Sequence, residues 1–323
     1  MSEFGRIFCV AALLSAVETP PMSDTDDPEP AENAQGHGRL DSPGRPRPLA
    51  PGLYVTATPI GNLGDLTFRA RDILSNVDLV LAEDTRVTAK LLSAYDLHPR
   101  VERYDDHADA ARTEQVLARL AEGARIALVS DAGTPLVSDP GYRLVKAAVE
   151  RGLAVFPAPG ASAALAALSI SGLPTDRFLF AGFPPPKSAA RRAFLEELAP
   201  IRTTLVFYET GPRLADSLAD MALVLGDRPA VMARELTKLY ETVVRGPLNA
   251  LSTDPRCQSP KGEIVVVVGP GEQAAASADD ADRALMDALA RGGPAAAAAE
   301  VAKALGLDRR TLYRRALELK GSV

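Results

Sequence analysis

Between positions 53 and 170 apolar residues recur with two different periods. The runs 53–58 (LYVTAT), 77–82 (VDLVLA), 125–130 (RIALVS) and 154–157 are short and mostly apolar, as in strands buried on both faces. The stretches 67–75, 87–95, 142–151 and 161–169 carry apolar residues at helical spacing. Alternation of the two predicts a mostly parallel sheet covered by helices on both sides, in an α/β domain over 51–174.

From about 175 the pattern changes. Strands are predicted at 178–183, 203–208, 230–234, 241–245 and 263–269 (EIVVVVG), and helices at 188–198 and 213–225. The last three strands fall close together, which suits a mixed or antiparallel sheet, so a second α/β domain is predicted over 175–270. A polar, Ala/Ser-rich linker (271–281) leads to a helical tail (282–323) with helices at 282–290, 295–304 and 308–319. Leu305-Gly306-Leu307 is the short glycine turn of a helix-turn-helix.

Residues 1–50 show neither period. They include the acidic SDTDDPEP and a Gly/Pro/Arg-rich stretch, and are expected to be disordered. The apolar stretch 7–17 behind Arg6 has some features of a secretory leader, but Glu3 and the lack of a small-x-small cleavage pattern count against it. An extended or misassigned start, with Met22-Ser23 opening the soluble part, is the expected reading. No apolar run approaches the roughly 20 residues of a membrane helix.

Composition narrows the chemistry. The 323 residues hold 36 Lys and Arg against 42 Asp and Glu, a net charge of −6. A generic, charge-driven nucleic-acid binder is usually basic, so any nucleic-acid contact must use a local patch or shape. Such a patch exists at 308–320, where Arg309, Arg310, Arg314, Arg315 and Lys320 face only Asp308 and Glu318. Two cysteines (Cys9, Cys257) and three histidines (His37, His98, His107) exclude a disulfide scaffold and a zinc cluster. The expectation is a cytoplasmic, metal-free enzyme.

Candidate chemistry gathers where strands end, the place at which open α/β sheets hold ligands. The first loop, TPIGNLGDLT (58–67), contains two glycines and an Asp65 able to cap the following helix, but matches neither G-x-G-x-x-G nor a P-loop. The second, SDAGTPLVSDPG (130–141), is twelve residues bracketed by Asp131 and Asp139, with Pro140 at a helix start. Its backbone can meet a ligand while a carboxylate takes a hydroxyl or amine. The third, PAPGASAA (157–164), enters a helix through Ser162, a natural cap.

These three loops, with AEDTR (82–86), FYETGPR (207–213), RELTK (234–238) with Glu241, and KGE (261–263), resemble the tetrapyrrole methylase superfamily over about 53–269. The first loop is similar to that of the branch methylating ribosomal RNA, not to the Gly-x-Gly-x-Gly-Asp-Pro of the porphyrin-making relatives. The resemblance implies a two-domain S-adenosylmethionine methyltransferase, expected to be a homodimer, that 2′-O-methylates a cytidine of 16S rRNA in the decoding region of the small ribosomal subunit. It implies cofactor binding in the cleft between domains by Pro59, Gly61, Asp131, Ala132, Gly133, Thr134, Asp139, Pro159, Gly160, Ser162 and Ala163. Phe207 to Glu209 and Leu236 are candidates for the second domain's wall.

Methyl transfer from a sulfonium needs no metal, and a general base would help a ribose hydroxyl attack by roughly 10²–10⁴. Asp84, Glu209, Glu235 and Lys238 are the candidates, Lys238 only if burial or a cation such as Arg234 depresses its pKa. Arg86, Arg213, Arg234, Arg314 and Arg315 are candidates for RNA phosphate, and Lys187, Arg191 and Arg192 form a second basic cluster. His98, His107 and Cys257 carry no catalytic pattern. A methylase of a tetrapyrrole or other small molecule is the enzyme alternative, and a DNA-binding regulator with the tail as reader is the non-enzyme one.

Overall fold

The computed structural model describes residues 48–105, 110–136, 141–271 and 278–321. Residues 1–47, most of the segment expected to be disordered, lie outside the described residues with His107, Asp139, Pro140 and most of the 271–281 linker; Leu49, within that segment, packs on the N-terminal core.

The N-terminal sheet has five parallel strands, β1 (Gly52–Thr56), β2 (Leu79–Ala82), β3 (Val101–Arg103), β4 (Arg125–Val129) and β5 (Val155–Ala158), in the order β3-β2-β4-β1-β5. Five helices accompany it: α1 (Phe68–Asn76), α2 (Thr85–Ala94), α3 (Ala110–Ala121), α4 (Tyr142–Glu150) and α5 (Ala163–Ser171). Strand alternation assigns the two faces. Leu79, Leu81, Ile126 and Leu128 meet Val116, Leu117 and Leu144 of α3 and α4. Val80, Ala82, Ala127 and Val129 meet Ile73, Leu74 and Leu92 of α1 and α2. Both faces are therefore dry, which is why these strands lack a polar alternation.

The C-terminal sheet is mixed: β6 (Phe178–Gly182), β7 (Thr204–Thr210), β8 (Pro229–Arg234), β9 (Thr242–Pro247) and β10 (Glu263–Val268), in the order β6-β7-β10-β8-β9. Only β6 and β7 run parallel; β10 pairs antiparallel with β7 and β8, and β8 with β9. One face buries Leu205, Phe207, Met232, Ile264 and Val266 under α6 (Ser188–Leu198), α7 (Gly211–Leu225) and α8 (Leu248–Thr253). The other face, with Val206, Val231, Ala233, Val265 and Val267, packs on Ala164, Ala167 and Leu168 of α5. Helix α5 thus follows the N-terminal sheet in sequence but covers the C-terminal one, and it joins the two.

Helices α9 (Ala278–Leu289), α10 (Pro294–Leu305) and α11 (Arg309–Gly321) form the tail. Their core is drawn from their own residues, including Leu285, Val301, Leu312 and Ala316. Gly306 ends α10 at φ +66°, the left-handed cap expected of the Leu305-Gly306-Leu307 turn. Leu312 is buried and Leu319 partly so, but Leu317 is 47% exposed. Three elements are additional to the sequence prediction: β3, α3 and α8. Among the described residues no helix is long and apolar enough to cross a membrane.

Candidate active site

The three loops at the carboxyl ends of the N-terminal strands converge. Thr58, just past β1, exchanges backbone hydrogen bonds with Gly133 (2.8 and 3.0 Å) and its hydroxyl donates to Ser130 O at 3.2 Å. Thr134 Oγ1 donates to Ala161 O at 3.0 Å, linking the second loop to the third. Asp131 Oδ1 accepts the amide of Asp84 at 3.1 Å, linking it to the loop after β2. Gly133 holds φ +81°, and a Cβ there would lie 3.3 Å from Ile60 Cγ2. A side chain is thus disfavoured at the point where the loop backbone borders open space.

That space is a cleft of ≈ 360 Å³ between the domains. Its N-terminal wall is Ile60, Glu83, Asp131 to Thr134, Ser162 and Ala163, and its C-terminal wall includes Phe183, Tyr208, Ala233, Leu236 and Val265. One wall is rich in backbone and small polar groups, the other apolar and aromatic, which is the make-up of a site for a small, amphipathic organic molecule. Of the predicted cofactor residues, Asp131, Ala132, Gly133, Thr134, Ser162 and Ala163 line the cleft, while Pro59, Gly61, Pro159 and Gly160 are not among its lining residues. Gly160 backs the wall, since a Cβ there would sit 2.8 Å from that of Ala57. Two capping expectations are corrected. Ser162 is the N-cap of α5 without a side-chain cap bond, and α1 is capped by Thr67, not Asp65.

The C-terminal domain reaches the cleft through an unusual turn after β8. Glu235 (φ +53°) and Thr237 (φ +67°) are left-handed without being glycine, strain that persists only where neighbours over-determine it. Here Glu235 exchanges backbone and side-chain bonds with Glu263 (2.9 and 3.0 Å), and Thr237 N donates to Glu241 at 2.7 Å. Arg234 clamps the base of the turn by donating to Lys261 O (3.0 Å), Tyr240 O (3.2 Å) and Thr242 Oγ1 (3.0 Å). The result puts Leu236, 7% exposed, into the cleft wall.

None of the four base candidates sits in a base-like environment. Asp84 caps α2, accepting Arg86 N at 2.8 Å, and its ion pair with Arg86 holds its carboxyl far below the usual carboxylate range. Glu235 is held below its ordinary value by the Glu263 amide and by Lys238. Lys238 fails its stated condition: burial disfavours its charge, but Glu263 (2.6 Å) and Glu235 (3.0 Å) outweigh that, and its pKa is raised. Glu209 borders the cleft by its backbone alone, because its side chain is wholly enclosed. Strand parity turns it toward α7 with Phe207, where it accepts from Thr210 N (2.8 Å), Ser217 Oγ (2.5 Å) and Arg213 (3.2 Å). Phe207, 0% exposed, belongs to that same inner face and not to the cleft wall.

The RNA candidates divide similarly. Arg86 is exposed beside Asp84; Arg213 is bound to Glu209 and Pro184 O; Arg234 is consumed by the turn. Of the second basic cluster, Arg191 and Arg192 both pair with Asp220 at 2.6 Å; Arg191 is buried, whereas Arg192 and Lys187 are exposed. Arg314 and Arg315 lie on α11. His98 is exposed against Asp96 at 3.0 Å, and Cys257 is a core residue whose thiol burial pushes up to about 11. Cleft residues not singled out from sequence include Glu83, Phe183, Ala233, Gly262, Ile264 and Val265; of these, Glu83 inside AEDTR and Gly262 inside KGE carried a signal there. Among the described residues no group of three or more His, Cys, Asp or Glu is placed to hold a metal ion.

A parallel N-terminal sheet, a mixed C-terminal sheet and a ligand-sized cleft between them define a two-domain methylase architecture. The family model for Tetrapyrrole (Corrin/Porphyrin) Methylases matches residues 52–252, and the RsmI C-terminal HTH domain matches 275–320. The chain belongs to the tetrapyrrole methylase family. It is 55% identical over 273 residues to Ribosomal RNA small subunit methyltransferase I of Erythrobacter litoralis, covering 84% of this chain and 97% of that one. It is 49% identical over 276 residues to the protein of the same name from Mesorhizobium japonicum, covering 85% and 94%. Among solved structures, diphthine synthase shares the fold at a TM-score of 0.53 and 15% identity, over 67% of this chain and 89% of that one.

Proposed function

We propose that this chain transfers a methyl group from S-adenosylmethionine to the ribose 2′-hydroxyl of a cytidine in 16S rRNA, within the decoding region of an assembled small ribosomal subunit in the cytoplasm. The observation that carries it is the cleft: its two walls, one polar and backbone-rich, one apolar, belong to a chain whose near-full-length relatives are named for methylating small-subunit rRNA.

The lining suits the cofactor. Asp131 to Thr134, with Gly133 bare, and Ser162-Ala163 would hold the amino-acid and ribose ends, while Tyr208, Ala233, Leu236 and Val265 offer an apolar wall for the adenine. When bound, the cofactor supplies an electrophilic methyl on a sulfonium. The chain's own work is then to fix that cofactor, exclude water and hold one ribose oxygen in line, a contribution that positioning alone can raise to about 7–11 kcal/mol. Asp84, Glu209, Glu235 and Lys238 serve in this reading as cap, core anchor and turn braces. The working unit in this reading is a homodimer, which sedimentation of the pure protein checks.

The test is transfer of labelled methyl from S-adenosylmethionine to unmethylated small subunits, deproteinised 16S rRNA and uroporphyrinogen in parallel. Label in the subunits supports the reading; label in uroporphyrinogen alone overturns it in favour of a small-molecule methylase.

A further inference from the structure

The cations of the methylase domains are largely engaged internally, as Arg191, Arg213 and Arg234 show. In the tail Arg283, Arg291 and Arg315 are ion-paired, but most cations of α11 are not. Helix α11 buries Leu312 and Ala316 against α9 and α10. At 100° per residue its outward surface then splits in two. One part carries Thr311, Arg315 and Glu318. Arg315 there is already neutralised by Asp282 (2.6 and 2.8 Å) and Glu318 (2.8 Å). The other part, a sector about 140° wide, carries Arg309, Arg310, Tyr313, Arg314, Leu317 and Lys320. All six are exposed, Tyr313 by 43% and Leu317 by 47%. That sector holds no carboxylate, and none of its four cations makes a salt bridge among the described residues; only Arg310 feels a nearby carboxylate, that of Asp308 at the helix start.

In a chain of net charge −6, four cations free of salt bridges on one helix face, beside an exposed tyrosine, are a segregated charge. Their complement is a surface with regularly spaced negative charge and flat rings. A phosphate backbone supplies the first and an unstacked base the second. We propose that this face of α11 is an RNA-docking surface, lying outside the methyl-transfer cleft, which grips the phosphate backbone of the substrate RNA and lowers KM for it without entering the chemistry. The inference rests on the rRNA reading above for its choice of RNA. It also separates the two tail candidates: Arg314 docks RNA and Arg315 holds the tail together.

The test uses the full chain with Arg310→Glu and Arg314→Glu combined, both exposed and outside the tail core, beside Arg315→Gln. RNA affinity is read by fluorescence anisotropy on a labelled, deproteinised 16S rRNA fragment over a salt series, and KM and kcat by methyl transfer to small subunits. Loss of two phosphate contacts is expected to weaken RNA binding at least tenfold and to reduce the salt slope by about 2, at roughly 0.9 per contact. KM for subunits rises in parallel, with kcat and KM for S-adenosylmethionine unchanged, and Arg315→Gln keeps its RNA affinity. Unchanged affinity and slope in the double variant overturn the proposal. Lost self-association with RNA binding intact also overturns it, because the face then belongs to a second copy. If the wild type binds RNA through these residues but methylates none, docking stands and the rRNA-methylation reading fails. If it methylates subunits and the double variant does so with the same KM, the reverse holds.

Discussion

The side chain of Lys238 crosses the bare Cα of Gly61 so closely that a methyl group built at position 61 would lie 2.4 Å from Lys238 Cγ. This contact joins the first loop of the N-terminal domain to the strained turn of the C-terminal one, at the edge of the cleft. Gly61 also holds φ +146°, which side-chain-bearing residues rarely adopt. Gly61→Ala therefore carries a local cost of about 1–3 kcal/mol, relieved by displacing the turn that presents Leu236. Methyl transfer is expected to fall at least tenfold while the melting temperature drops by only a few degrees. Steady-state kinetics beside a thermal melt check it, and an unchanged rate would contradict the contact's role.

Lys238 also braces the turn electrostatically, between Glu235 and Glu263. Its raised pKa means its contribution is full below the ordinary lysine value of 10.5 and is lost only as pH rises through the folded value. Glu235 is lowered, so its contribution is full above 4.5 and is lost as pH falls through its folded value. The brace is thus intact across neutral pH. Lys238→Met is expected to cost about 1–3 kcal/mol at pH 7, and less at a pH below the lowered folded value of Glu235, where that carboxylate is neutral with or without the lysine. Urea titrations at the two pH values read this difference.

Asp220 meets two arginines at the same 2.6 Å, but Arg191 is 4% exposed and Arg192 48%. Burial, not distance, decides what each pair contributes. Asp220→Ala strands a buried guanidinium and is expected to cost about 3–5 kcal/mol. Arg192→Ala is expected to cost less than about 1 kcal/mol. Chemical denaturation of the two variants orders them.

Glu209 makes a similar anchor, tying Arg213 and Ser217 of α7 to the end of β7. Glu209→Gln is expected to lower stability by about 2–4 kcal/mol and to leave the shape of the pH–rate profile of methyl transfer unaltered at a temperature where the variant is folded. Disappearance of an acid limb from that profile would instead make Glu209 the base.

Much of this architecture was legible because buried parallel strands are nearly pure apolar runs: VDLVLA and RIALVS can be little else. What was not legible has physical causes. Strand β3 has only three residues, two of them charged, at the sheet edge, so no period develops. Helix α8 is six residues long and begins right after β9. The cofactor loops could be read from their glycines and strand-end positions, but side-chain direction could not. Parity did offer a clue to Glu209, since it shares a strand face with Phe207, and a large apolar residue two positions away points to the core. The left-handed turn at Glu235 and Thr237 gave no warning, because neither is glycine or asparagine. Nor could the excess of cations over 308–320 reveal which arginine was already paired.

The most direct test of the central claim is the identity of the methylated nucleoside. Small subunits labelled by this chain would be digested to nucleosides and resolved by mass spectrometry. The account predicts label in 2′-O-methylcytidine from 16S rRNA. Label on a base, in another nucleoside, or no label in the subunits at all would contradict it.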